Sequence, residues 1–102
     1  MKPIITSPRA EVQILEIELW WLANREKNPD FFKDELENAL DVIAQLPDAG
    51  ESYLHHGIPG VRRRLLGTGH HVYYVNEPQQ ISILAVWGAP REHGPDLGNE
   101  PL

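Results

Sequence analysis

The residues best suited to chemistry in this sequence are four arginines between positions 58 and 91. They are Arg62, Arg63, Arg64 and Arg91, and the same window contains a single acid, Glu77. Four cations against one acid give the window a charge of +3, in a chain whose net charge is −6. A local positive patch of this kind can meet an anionic partner even though the whole protein is acidic.

Two histidine pairs, His55-His56 and His70-His71, resemble metal-ligand pairs. Adjacent residues of a strand point to opposite faces, so neither pair chelates a metal easily. The chain has no cysteine, which excludes disulfides, thiolate nucleophiles and cysteine-based zinc sites. We therefore predict no metal site, and no cofactor is implied.

Two amphipathic helices are predicted before the arginine-containing window of residues 58–91. Ser7 and Pro8 start the first, because serine caps free amide groups and proline fits the first helical position. Apolar residues recur at steps of three and four over residues 9–27, and Pro29 ends the helix. Asp30 is the predicted N-cap of the second helix. The short connection predicts a helical hairpin.

The second half of the chain changes to short runs of β-branched and aromatic residues. Their bounds are 61–66, 70–75 and 81–87. The separations are short, and the first is Gly67-Thr68-Gly69, so an antiparallel meander is predicted. Residues 47–60 lack periodicity and predict a surface loop. Ile4 and Ile5 can supply one further strand.

The predicted fold is α+β, with the order β-α-α-β-β-β and an N-terminal helical hairpin packed on one face of a small antiparallel sheet. The other face then has no helical cover, and we expect function there. One domain is predicted over residues 1–97, with residues 98–102 as a tail that frays. No apolar run approaches the roughly 20 residues of a membrane span, and no secretory signal is evident, so a cytoplasmic protein is expected.

Several motifs follow one another in a characteristic order. The helical half contains Trp20-Trp21-x-x-Asn24-Arg25 and Pro47-x-x-Gly50. The strand half contains Gly60-Val61-Arg62-Arg63-x-Leu65-Leu66, His71-Val72-Tyr73-Tyr74, and Ile83 to Trp87 followed by Arg91 and Gly94-Pro95-x-Leu97. In this order, over nearly the whole chain, they resemble the RelE/ParE superfamily of bacterial toxins from type II toxin-antitoxin systems, often labelled plasmid stabilisation proteins.

The resemblance implies growth inhibition by one of two activities. ParE-like members bind and poison DNA gyrase, whereas RelE-like members are ribosome-dependent endoribonucleases that cut messenger RNA. Both kinds are neutralised by a cognate antitoxin, whose C-terminal segment covers the working surface. A third alternative is a non-toxic binding module of the same fold.

The nuclease alternative assigns roles to particular residues. Arg62 and Arg64 fall where RelE-like enzymes carry lysines, and His71 falls where they carry an arginine. Arg91 roughly matches a second arginine. Such cations stabilise a pentavalent phosphate, and His71 can serve as base or acid because imidazole titrates at about pH 6.5. Leu97 stands where the pattern has a tyrosine, so we favour the gyrase-binding alternative, with enzymatic activity left open.

Partner contacts are predicted at Arg62, Arg64, Tyr73 and Arg91. For a phosphate site we predict that His71 shares a sheet face with Arg62 and Arg64. A plain three-residue loop at Gly67-Thr68-Gly69 puts His71 on the opposite face, whereas a turn of two or four residues, or a bulge, puts it opposite Arg64. On separate faces the three residues cannot form one phosphate site.

Overall fold

The computed structural model describes residues 1–88, in which two helices cover one face of a five-stranded sheet. In chain order the elements are β1 (Ile4–Thr6), α1 (Pro8–Asn24), α2 (Phe31–Gln45), β2 (Glu51–Ser52), β3 (Val61–Leu65), β4 (His70–Asn76) and β5 (Ile81–Gly88). The predicted α+β fold class is confirmed. Arg91, Leu97, the predicted domain end at residue 97 and the predicted tail 98–102 lie outside the described residues.

The sheet has the strand order β1-β5-β4-β3-β2 and is mixed rather than wholly antiparallel. β1 is parallel to β5, with Ile4 opposite Ile81. β2 adds an edge strand that pairs antiparallel with β3, inside the segment that was predicted to be a surface loop. Two residues are too few to show the alternation by which a strand is recognised in sequence.

α1 begins at the predicted position and is fastened to β5. Ser7 caps the helix, because its Oγ accepts a hydrogen bond from the amide of Ala10 at 3.1 Å. The same hydroxyl donates to the carbonyl of Leu84 at 3.1 Å. The side-chain oxygen of Gln13 accepts from the amide of Val86 at 2.8 Å. These side chains satisfy backbone groups of β5 beyond the end of its partner β1.

The main hydrophobic core lies between the helices and the sheet. α2 contributes one face of buried residues at helical spacing, and β4 and β5 contribute alternate residues. The buried members are Ala10, Phe32, Leu36, Ala39, Ile43, Leu66, Val72, Tyr74, Ile81, Ile83 and Val86. We call this side of the sheet the helix face.

Tyr74 ties this core to the connection between α2 and β2. Its ring is fully buried, and its hydroxyl donates to the carbonyl of Pro47 at 2.9 Å and accepts from the amide of Gly50 at 3.1 Å. Burial raises the pKa of Tyr74 above its ordinary value, so the phenol stays protonated and can donate. A Cβ at Gly50 would collide with this hydroxyl, which explains the glycine.

Replacing Tyr74 by phenylalanine is expected to lower the free energy of unfolding by about 1–3 kcal/mol, because one amide and one carbonyl lose their partner. Urea unfolding measures the loss. Tyr73→Phe is the matched control, since its hydroxyl lies beside Arg63, which keeps Glu51 as a partner. Equal losses in the two variants would contradict this account.

Candidate functional site

The β3–β4 hairpin decides which side chains share a face of the sheet. It closes through residues 67–69, and Gly69 has φ +93°, the left-handed conformation that glycine adopts without strain. The register places Leu65 opposite His71 and leaves Arg64 opposite Val72. Directly opposed residues of an antiparallel pair lie on the same face.

The prediction that His71 shares a face with Arg62 and Arg64 is therefore wrong. The two arginines lie opposite Tyr74 and Val72, on the helix face, whereas His71 lies on the other side of the sheet. The hairpin is the plain three-residue loop, and no bulge interrupts the β3–β4 register. The register shift falls instead between β4 and β5, where Tyr73 and Tyr74 skip one residue of β5.

Arg62 has a structural partner on the helix face. Its Nη1 donates to the carbonyl of Gly50 at 2.8 Å, next to the Tyr74 hydroxyl. The charges of Arg62 and Arg64 act to lower the pKa of Tyr74, against the larger effect of burial. Arg62 and Arg64 thus both lie on the face of the buried tyrosine, although Arg64 also reaches a recess that His71 lines.

We call the side of the sheet turned away from the helices the open face. Its residues include Val61, Arg63, Leu65, His71, Tyr73, Val75 and Trp87. One end is covered, because Ile58 from the β2–β3 loop packs there in a second small core with Val61 and Leu84. The other end remains accessible and carries the polar groups.

These polar groups form what we call the Arg63 cluster, made of Glu51, Tyr53, Arg63, His71 and Tyr73. Arg63 donates from Nε and Nη2 to one carboxylate oxygen of Glu51, at 3.0 and 2.7 Å. Its guanidinium carbon lies 5.2 Å from the centre of the Tyr53 ring. The Tyr73 ring packs edge-on against Tyr53 at 4.9 Å and lies 6.0 Å from the His71 ring.

A shallow recess of about 320 Å³ opens beside the cluster and is lined in part by Glu51, Arg63, Arg64 and His71. Burial lowers the pKa of His71, and the charge of Arg63 lowers it further, against an opposite effect of Glu51. The imidazole is therefore neutral at pH 7 and can accept a proton. Hydrogen bonds to Glu51 and Tyr73 raise the pKa of Arg63, so its charge is permanent.

The Glu51–Arg63 ion pair positions the guanidinium more than it stabilises the fold. The side chain of Glu51 is 65 % exposed and that of Arg63 is 28 % exposed. Solvent-exposed pairs of this kind contribute about 0–1 kcal/mol. The recess thus offers two guanidinium groups, one of them fixed by Glu51, together with one carboxylate and one neutral imidazole.

Sequence reasoning found only part of this cluster. His71 and Tyr73 were singled out, although Tyr73 is 4 % exposed and can offer little beyond its hydroxyl. Glu51 and Tyr53 lie in the segment predicted as a loop, and Arg63 was passed over for its neighbours. The alternation of side chains along β3, combined with the three-residue loop, would have identified Arg63.

Within residues 1–88, no three histidine, aspartate or glutamate side chains come together as a metal site. In the same part of the chain, neither helix is long and apolar enough to cross a membrane.

Two solved structures share this architecture. No protein-family model and no curated protein sequence matches the chain. A structure described as the chromosomal ParDE TA system from P. aeruginosa is similar with a TM-score of 0.72 and 14% identity, covering 88% of this chain and 98% of that one. A structure of the YoeB dimer from Staphylococcus aureus is similar with a TM-score of 0.55 and 19% identity, covering 87% and 98%. The chain has the RelE/ParE-like fold.

Proposed function

We propose that this chain is the toxin of a bacterial type II toxin-antitoxin pair, that it acts in the cytoplasm by binding DNA gyrase, and that a cognate antitoxin neutralises it. The observation that carries the proposal is the fold similarity to the ParDE structure, which has a TM-score of 0.72 against 0.55 for YoeB. The resemblance of the sequence motifs supports the same superfamily, and its ParE-like members are the gyrase poisons.

The accessible end of the open face supports a protein partner. Arg63 lies there beside Leu65, which is 62% exposed, and Trp87 lies on the same face, opposite His71 in the register of β4 and β5. Arginine and aromatic residues dominate the energetics of protein interfaces when water is excluded around them. We assign the antitoxin to this surface, where an acidic side chain of its C-terminal segment can replace or share Glu51 as the partner of Arg63.

A second candidate function, the ribosome-dependent endoribonuclease, is favoured by the composition of the Arg63 cluster. Neutral His71 can take the proton from a ribose 2′-hydroxyl as that oxygen attacks the phosphorus. Arg63 can stabilise the charge on the phosphate, and the leaving 5′-oxygen takes a proton from water. Among the described residues predicted for this chemistry, His71 belongs to the cluster and Arg64 lines the recess beside it. Neither candidate function uses a cofactor.

Induced expression is expected to stop growth, and co-expression of the neighbouring antitoxin gene is expected to restore it. A gyrase supercoiling assay with the purified chain should show inhibition, while primer extension on a translated message should show no new ends. Codon-linked cuts that disappear in the His71→Ala variant would establish the nuclease instead. Unchanged growth with soluble protein present would leave the non-toxic binding module as the function.

A further inference from the structure

α1 has two apolar faces, and only one of them packs on the sheet. Its core side carries Ala10, Ile14, Ile17 and Trp21, at steps of four, three and four. A second set, which we call the α1 stripe, consists of Val12, Leu15, Leu19 and Leu22. At 100° per residue this second set lies on the opposite side of the helix. Each of its side chains is more than half exposed, at 55 to 57%.

The spacing of the α1 stripe is that of a helix-pairing seam. Steps of three, four and three place its members on one narrow line, as in the a and d positions of a coiled coil. Exposed apolar side chains are ordinary when they are scattered, but four aligned on one helix form a contiguous apolar strip of the kind that marks an interface.

Acidic side chains border the α1 stripe. Glu11 and Glu18 follow one edge at a spacing of seven residues, and Glu16 lies on the other edge, which also carries Arg9 near the start of the helix. A second copy of this chain fits poorly, because antiparallel pairing brings Glu16 and Glu18 each opposite its own counterpart. Parallel pairing brings Glu11 near Glu16, so carboxylates meet in either orientation.

We propose that the α1 stripe is a docking site for an amphipathic helix of another protein, with leucine-like residues at three-and-four spacing and lysine or arginine along its flanks. The stripe extends over about 15 Å, from Val12 to Leu22, so three turns of a partner helix are enough. This surface lies on the helical side of the sheet, so the proposal does not depend on the function assigned to the open face.

The test uses the whole chain and two synthetic helices of about 18 residues, both with leucines in the seam and one with lysine flanks, the other with glutamate flanks. Fluorescence anisotropy is expected to give micromolar binding of the lysine helix and binding of the glutamate helix that is weaker by about tenfold or more. The double variant Leu15→Gln, Leu19→Gln should lose about tenfold in affinity. Leu54→Gln, which alters an 86% exposed leucine of the β2–β3 loop, is the matched control and should bind normally.

A variant in which the acidic border of the α1 stripe is made basic provides a second test. In the Glu16→Lys, Glu18→Lys variant the preference should invert, so that the glutamate helix binds more tightly than the lysine helix. Equal binding of the two helices by the unaltered chain would overturn the proposal, as would unchanged binding in the double leucine variant. Sedimentation that shows a dimer lost in that double variant would identify a second copy as the occupant and would also overturn it.

Discussion

Replacing Arg63 by alanine is expected to weaken growth arrest by about 100-fold, whereas Arg64→Ala is expected to weaken it clearly less. The two arginines are adjacent in β3, but Glu51 holds Arg63 in the accessible cluster, whereas Arg64 projects from the helix face and reaches only the edge of the recess. Loss of a positioned cation costs about 10²–10³ in rate for a charged transition state, and a similar factor in affinity at an interface hot spot. The expected loss therefore applies to either candidate function.

Survival on plates across a range of inducer concentrations measures the effect, with immunoblots to confirm equal amounts of protein. The thermal midpoint of the Arg63→Ala variant should change little, because its ion pair is exposed to solvent. Arg63→Lys separates charge from shape, since lysine keeps the cation but loses the planar fork that binds Glu51. Loss of toxicity in Arg64→Ala but not in Arg63→Ala would show that the functional site lies on the helix face and would contradict this prediction.

Phe32→Ala is expected to lower the free energy of unfolding by about 3–5 kcal/mol. The Phe32 side chain is fully buried between α2 and the sheet, and its ring meets His70 edge-on at 5.4 Å. A domain of this size is stable by about 5–15 kcal/mol, so the variant loses a large fraction of its stability. Urea unfolding followed by tryptophan fluorescence measures the change.

Phe31→Ala is the matched control, because the neighbouring residue is only partly buried and contacts Trp21 at 5.6 Å near the end of the hairpin. It should cost clearly less than Phe32→Ala. If the two losses are equal, or if Phe31→Ala is the more damaging, the assignment of the α2 core face is incorrect.

The helices and the central strands were predictable because their signals are local. Ser7 and Pro8 define the start of α1, and Gly67 to Gly69 separate β3 from β4 as expected. The C-terminal end of α1 differs from the prediction, since the helix stops at Asn24 rather than at residue 27. The parallel pairing of β1 with β5 was not predictable, because it joins residues about 77 positions apart and leaves no local pattern.

The composition of the candidate site depended on whether the loop between β3 and β4 has an odd or an even number of residues. A loop of three residues places His71 on one face of the sheet, and a loop of two or four residues places it on the other. The glycines at 67 and 69 are compatible with all three lengths. The motif resemblance favoured the arrangement that the structure does not adopt. Glu51 could not be associated with Arg63 from sequence at all, since their contact depends on a two-residue strand.

The pairing of β1, at the start of the chain, with β5, the last described strand, also sets the order in which the molecule can assemble. The β3–β4 hairpin closes a short loop, but β1 has no neighbour until β5 has been synthesised, and its pairing has a very high contact order. Trp87 of the open face lies on that same late strand. The nascent chain therefore cannot present the complete working surface, and any partner that binds there meets a finished fold.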